Sequence, residues 1–141
     1  MIKTLTIGIL FSIAFASCQK LENSIESGNT DMKGTWVNPQ YTDTIVTYTR
    51  VEKLVENEIG ITFNSNNTLV YRQNSGWCGT PPISTADYEG TWNWNDSVVN
   101  INVGYWGGTA DFTWKIISLN GRKLEISVVK SEYHQEKKAI L

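Results

Sequence analysis

From residue 33 onward, apolar side chains recur mostly at every second position. Val99, Ile101 and Val103 are separated by Asn100 and Asn102; Phe112, Trp114 and Ile116 by Thr113 and Lys115; Leu124, Ile126 and Val128 by Glu125 and Ser127. A two-residue period puts one set of side chains on a buried face and the other in water, the mark of antiparallel sheet. Residues 51–58 could form one or two helical turns, and the charged segment 131–141 reads as a short helix or a frayed end.

Residues suited to turns divide the alternating runs. Asn120-Gly121 has the composition of a type I′ hairpin turn, since both residues tolerate positive φ. Asn64-Ser65-Asn66-Asn67, Asn95-Asp96 and Gly104-Tyr105-Trp106-Gly107-Gly108 break the pattern in the same way. Strands are expected at 33–38, 42–50, 59–64, 67–73, 86–94, 97–103, 109–118 and 123–130. About eight short strands joined by tight turns predict an all-β fold, an antiparallel up-and-down barrel, with an open sandwich as the alternative. Closure would remove the exposed edges that invite aggregation.

Residues 1–17 differ from the rest. One charge, Lys3, is followed by an apolar run from Leu5 to Ala16, the pattern of a secretory signal. It ends in Phe15-Ala16-Ser17-Cys18-Gln19. Small residues directly before a cysteine resemble the lipobox of bacterial lipoproteins, although Phe15 stands where Leu is more usual. That resemblance implies an acylated Cys18 as the mature N-terminus, a membrane partner and a place in the bacterial cell envelope, at the outer membrane. Residues 18–32 then form the lipidated cysteine and a polar tether, whose residues 19–31 would reach about 40 Å when fully extended. Residues 33–141 form the barrel domain.

Composition narrows the function classes. Residues 18–141 carry eleven Lys/Arg against fourteen Asp/Glu, with no basic cluster, which argues against a nucleic-acid partner. The single histidine, His134, excludes any site built from several imidazoles. There is no phosphate-binding glycine loop, nucleophile elbow or metal-ligand spacing, so neither metal nor cofactor is expected. Asp87 with Glu89, and Glu56 with Glu58, would share a strand face; they are read as the wet side of the sheet rather than a catalytic pair, and no catalytic residue is assigned. Cys78, in Ser75-Gly76-Trp77-Cys78-Gly79-Thr80-Pro81-Pro82, lies 56 positions from the histidine a thiolate nucleophile would need.

Gly34-Thr35-Trp36, at the start of the first strand, resembles the Gly-x-Trp signature of lipocalins and their calycin relatives. The family's Thr-Asp-Tyr motif and the long helix after its last strand are missing. The resemblance implies that Trp36 closes the barrel base and that a cation from the end of the last strand, here Lys130, stacks over it. The aromatic residues Phe63, Tyr71, Trp94, Phe112 and Trp114 are expected to point into the bore, where they could line a ligand pocket or fill it. Polar groups such as Tyr71 or Asn102 would orient that ligand.

Two functions follow as expectations. In the first, a non-enzymatic envelope lipoprotein binds a small apolar or amphipathic molecule inside the barrel. In the second, rings fill the bore and the barrel engages an envelope protein partner through Trp106 and the Cys78 loop.

Overall fold

The alternating segments become strands wherever turn residues bound them. The computed structural model describes residues 31–76, 81 and 84–136. Its elements are β1 (Gly34–Thr42), β2 (Ile45–Val51), β3 (Gly60–Phe63), β4 (Thr68–Asn74), β5 (Thr85–Asn95), β6 (Val98–Tyr105), β7 (Gly108–Leu119) and β8 (Lys123–Gln135). All pairings are antiparallel, and the sheet closes into the expected all-β barrel of eight strands. Residues 52–59 hold bends and turns instead of the helical turn that 51–58 allowed, and 131–135 belong to β8 instead of a helix or frayed end.

From β3 to β8 each strand lies beside the next. The β1–β2 hairpin enters the wall turned around, so that β1 pairs with β3 and β2 with β8. Residues 52–59 must therefore cross the outside of β1 to reach β3. Leu54 covers Val37, which is 4% exposed although it points away from the core. Gly60 is required beneath this strap, because a Cβ there would lie 2.7 Å from Val37 Cγ1 and 2.9 Å from Leu54 Cδ2. Arg72 pins the strap from β4 by donating to the Val55 carbonyl at 3.0 Å. The same guanidinium grips Asp87 on β5 with bonds of 2.6 and 2.8 Å, which hold the Asp87 carboxyl below its usual range.

The turns differ from their sequence signals in detail. Neither Asn120 nor Gly121 has positive φ, so the β7–β8 turn is not type I′. Instead the Asn120 side chain accepts from the amides of Arg122 and Lys123 at 2.9 and 2.8 Å, a local mimic of a backbone turn. Pro39 does not end β1. It sits in a bulge with Asn38, whose φ is 56°, and the strand continues to Thr42.

Inward side chains fill the bore. Trp36, Tyr48, Ile61, Phe63, Leu69, Trp92, Phe112, Trp114, Leu124 and Ile126 belong to one buried cluster. Phe63 meets Trp92 edge-on at 4.9 Å, and Tyr48 stacks on Trp114 at 5.8 Å. An eight-stranded bore is just wide enough for such packing.

The base is closed by residues 31–33 folding under the barrel. Met32 is fully buried, and its carbonyl accepts from Trp36 Nε1 at 2.8 Å. The cation over Trp36 is Arg50, at 4.3 Å, and not Lys130. The reversed hairpin explains the correction: the end of β2, and not the end of β8, runs beside the start of β1. Lys130 lies instead on the exposed outer wall, 3.0 Å from Glu132. Arg50 also donates to the carbonyls of Lys33 and Asp31, tying the incoming chain to the wall. Gly34 belongs to the same arrangement. Its φ is 119°, and a Cβ there would come 2.8 Å from Arg50 Nη1.

Arg50→Ala removes a cation–π contact and two charge-assisted hydrogen bonds, and is expected to destabilise the barrel by about 2–3 kcal/mol in urea unfolding. Lys130→Ala should stay within about 0.5 kcal/mol of the parent, as for other surface positions. Equal losses in the two variants would contradict this account of the base.

Candidate functional site

Above the filled bore, at the end opposite residues 31–33, the barrel opens into a cup of about 560 Å³. Its described lining is Tyr41, Ile59, Tyr71, Gln73, Asn74, Gly76, Tyr105, Trp106, Tyr133 and Gln135. Tyr41 comes from the tip of β1, Tyr71 and Gln73 from β4, Tyr105 from the end of β6 and Trp106 from the β6–β7 turn. Tyr133 and Gln135 come from β8 after a bulge, where Thr113 pairs with Lys130 but Trp114 pairs with Val128. The extra residue reverses which side chains point inward.

Ring contacts run continuously from rim to floor. Tyr105 meets Trp106 at 5.6 Å and Tyr133 at 5.2 Å; Tyr133 meets Phe112 at 5.8 Å; Phe112 meets Tyr71 at 6.4 Å. These edge-to-face contacts hold the rings in a fixed frame. Beneath them the phenols of Tyr71 and Tyr48 are neighbours, each acting on the ionisation of the other. Burial, with this neighbour, raises the Tyr48 phenol well above its ordinary range; burial likewise moves Tyr71 from 10.0 to about 12. Gln73 donates to the Gly104 carbonyl at 3.0 Å across β5. The Tyr105 hydroxyl is buried under the β6–β7 turn with no partner, a cost of about 1–3 kcal/mol.

The cup combines exposed aromatic surface with amide groups and lacks formal charge: no Asp, Glu, Lys, Arg or His is among its described lining residues. Tyr41, Tyr133 and Trp106 are 73%, 59% and 45% exposed. One side of the wall is also incomplete. Strand β2 covers β8 only from Lys123 to Ser127, so the rest of β8 is paired on the β7 side alone.

Of the expected ligand-lining residues, only Tyr71 reaches the cup. Phe63, Phe112 and Trp114 are 1%, 9% and 3% exposed and pack the core. Trp94 lies at the other end of the barrel, where its Nε1 donates to the Asp96 carbonyl at 2.6 Å. Trp106, expected as a partner contact, is part of the cup rim. Asn102 faces outward and donates to Asp111 at 2.7 Å, so it orients nothing in the bore. Sequence reasoning missed Tyr41, Tyr133 and Gln135, while the aromatic turn at Tyr105-Trp106 was the clearest signal of the rim. Cys18 and Cys78 lie outside the described residues.

No protein-family model matches the chain, and comparison with curated proteins and with solved structures gives no significant match.

The Tyr48–Tyr71 pair predicts the alkaline limit of stability. Unfolded tyrosine ionises near 10.0, whereas folded Tyr71 does so near 12 and burial raises folded Tyr48 well above 10.0. The phenols therefore leave stability level below about pH 10, and stability falls as pH rises from there toward 12. Phenolate absorbance should show two tyrosines lagging the rest until the barrel unfolds. A single ionisation step near pH 10 in a folded protein would contradict the buried pair.

Proposed function

We propose that this protein is a non-enzymatic, lipid-anchored envelope protein of lipocalin-like architecture that binds a small, uncharged, amphipathic molecule in the cup. The observation that carries the reading is a cavity of about 560 Å³ walled by tyrosines and Trp106, with amides but no charged group in its described lining. That volume falls within the roughly 300–1,000 Å³ range of small-molecule sites. Aromatic faces would exclude water from the apolar side of the ligand, while Gln73, Asn74 and Gln135 would meet its polar edge. A carboxylate or ammonium group would lose hydration there without gaining a counter-charge.

The anchoring part rests on Ala16-Ser17-Cys18. Residues 31–33 enter at the base, so a leash from Cys18 would hold the cup on the side of the domain facing away from the bilayer. Cys18→Ser should then release the protein from membranes, and retention in the membrane fraction would count against acylation.

A second reading rests on the half-paired β8. Its free edge beyond Ser127 offers backbone groups to an extended peptide, beside the rings of Tyr133 and Trp106. In that reading the occupant of the rim is a segment of an envelope protein.

The deciding experiment is a titration of the full chain with environment-sensitive apolar probes, neutral and anionic, followed by tryptophan fluorescence. Saturable one-to-one binding of neutral probes is expected, with Tyr133→Ala weakening it by about tenfold or more. Anionic probes of the same size should bind more weakly. Trp94→Ala, at the opposite end, should leave binding unchanged. Absence of saturable binding by any neutral probe, or equal losses in the two variants, would remove the cup as a ligand site.

A further inference from the structure

On the outer wall, away from the cup, the bulge in β8 turns Lys130, Glu132 and His134 outward. Asp111 on β7 stands directly opposite Glu132, and His134 follows two positions later on the same face. Two carboxylates directly opposed across a pair of strands repel each other unless a cation lies between or beside them. His134, the sole histidine of the chain, places Nε2 2.8 Å from Asp111 Oδ2. From the other side Asn102 donates to Asp111 Oδ1 at 2.7 Å, fixing the carboxylate so that its second oxygen faces the imidazole. One ligand atom from each of Asp111, Glu132 and His134 lies within 4.8 Å of the others. A polar hollow of about 360 Å³ adjoins them, lined by side chains that include Asn100, Asn102, Thr113 and Lys130.

From this arrangement we infer that Asp111, Glu132 and His134 form a binding site for a divalent transition-metal ion of the zinc type. One imidazole nitrogen and two carboxylate oxygens make a donor set of the borderline kind that zinc accepts, with a fourth position open to water on the solvent side. Calcium and magnesium prefer six or more oxygens, which three side chains including an imidazole do not provide. Asn102 is the positioning residue, since it orients Asp111 without donating to the metal. Lys130, 3.0 Å from Glu132, is the resident cation that metal binding displaces; its exposed, flexible side chain can swing into water. Bound metal would tie the half-paired end of β8 to β7. The site is independent of what the cup binds.

The test is calorimetric titration of metal-free full-length protein with zinc chloride, alongside calcium and magnesium chloride, with thermal unfolding as a second readout. One zinc per chain and a rise in the melting midpoint are expected. His134→Ala should abolish both, and Glu132→Gln or Asp111→Asn should weaken binding about tenfold or more. Asn102→Ala should weaken it by about 10–100-fold, as for loss of an outer hydrogen bond to a metal ligand. Cys18→Ser and Cys78→Ser should leave the isotherm unchanged. All three proposed ligands are on the surface or partly exposed, so metal-free variants should melt as the parent does. No saturable zinc binding, binding that survives His134→Ala, or binding lost with a cysteine instead would overturn the inference. Calcium binding as tight as zinc would overturn it too, marking an ordinary acidic surface.

Discussion

An eight-stranded bore has room for side chains or for a small ligand along its axis, but not for both at the same height. In this chain the competition is decided by ring size. Trp36, Phe63, Trp92 and Trp114 occupy the lower and middle levels, the last three in edge-on and stacked ring contacts, and each is less than a tenth exposed. Close packing at that level leaves no volume for a guest. The open cup lies above Tyr71 and Phe112, where β6, β7 and β8 outrun their neighbours and carry Tyr105, Trp106 and Tyr133 upward. The cup is thus a consequence of unequal strand lengths.

Closing the other end required a different solution. A barrel whose first strand begins at the base exposes Trp36 there unless something covers it. The incoming chain does so with Met32, and Arg50 holds that chain down through two carbonyls while its guanidinium faces the indole. Arginine suits this role because one planar group can stack and donate at once, which an ammonium cannot do as well. Gly34 completes the set by leaving space for the guanidinium. The outward strap of residues 52–59 follows from the reversed insertion of the hairpin, which places β1 between β2 and β3, and Leu54, Gly60 and Arg72 hold it flat.

The strands were legible because alternation is a local property. Leu124 to Val128 and Val99 to Val103 announce their pleat without reference to anything else in the chain. Strand order is not local. Nothing in the spacing of residues 33–64 distinguishes a hairpin that inserts directly from one that inserts reversed, so Lys130 was assigned a place that Arg50 takes. Inward direction also fails to propagate through a bulge. Counting by twos from Leu124 puts Lys130, Glu132 and His134 inside, whereas the single extra residue near Val129 sends Tyr133 and Gln135 there instead. Height along the bore is likewise not local: period two identifies which rings face inward but not at what level, and Phe63, Phe112 and Trp114 lie in the packed core below the cup. Asn120-Gly121 marked the correct turn through an Asn side-chain bond that its dipeptide frequency does not specify.

The upper half of β8 brings these threads together. It runs beyond the end of β2, so only β7 holds it, and its alternation presents two unlike surfaces. Inward it offers Tyr133, part of the ring frame of the cup; outward it offers Glu132 and His134, next to Asp111. A strand fixed along one edge has fewer constraints than a central strand, so contacts made at its outer face act on the same backbone that positions the inner one. Polar side chains on this face already bridge the strands, from Asn93 to Asn100 to Thr113 and from Asn102 to Asp111 to His134. The last of these bridges joins β7 to β8 on the outer face of the stretch whose inner face carries Tyr133.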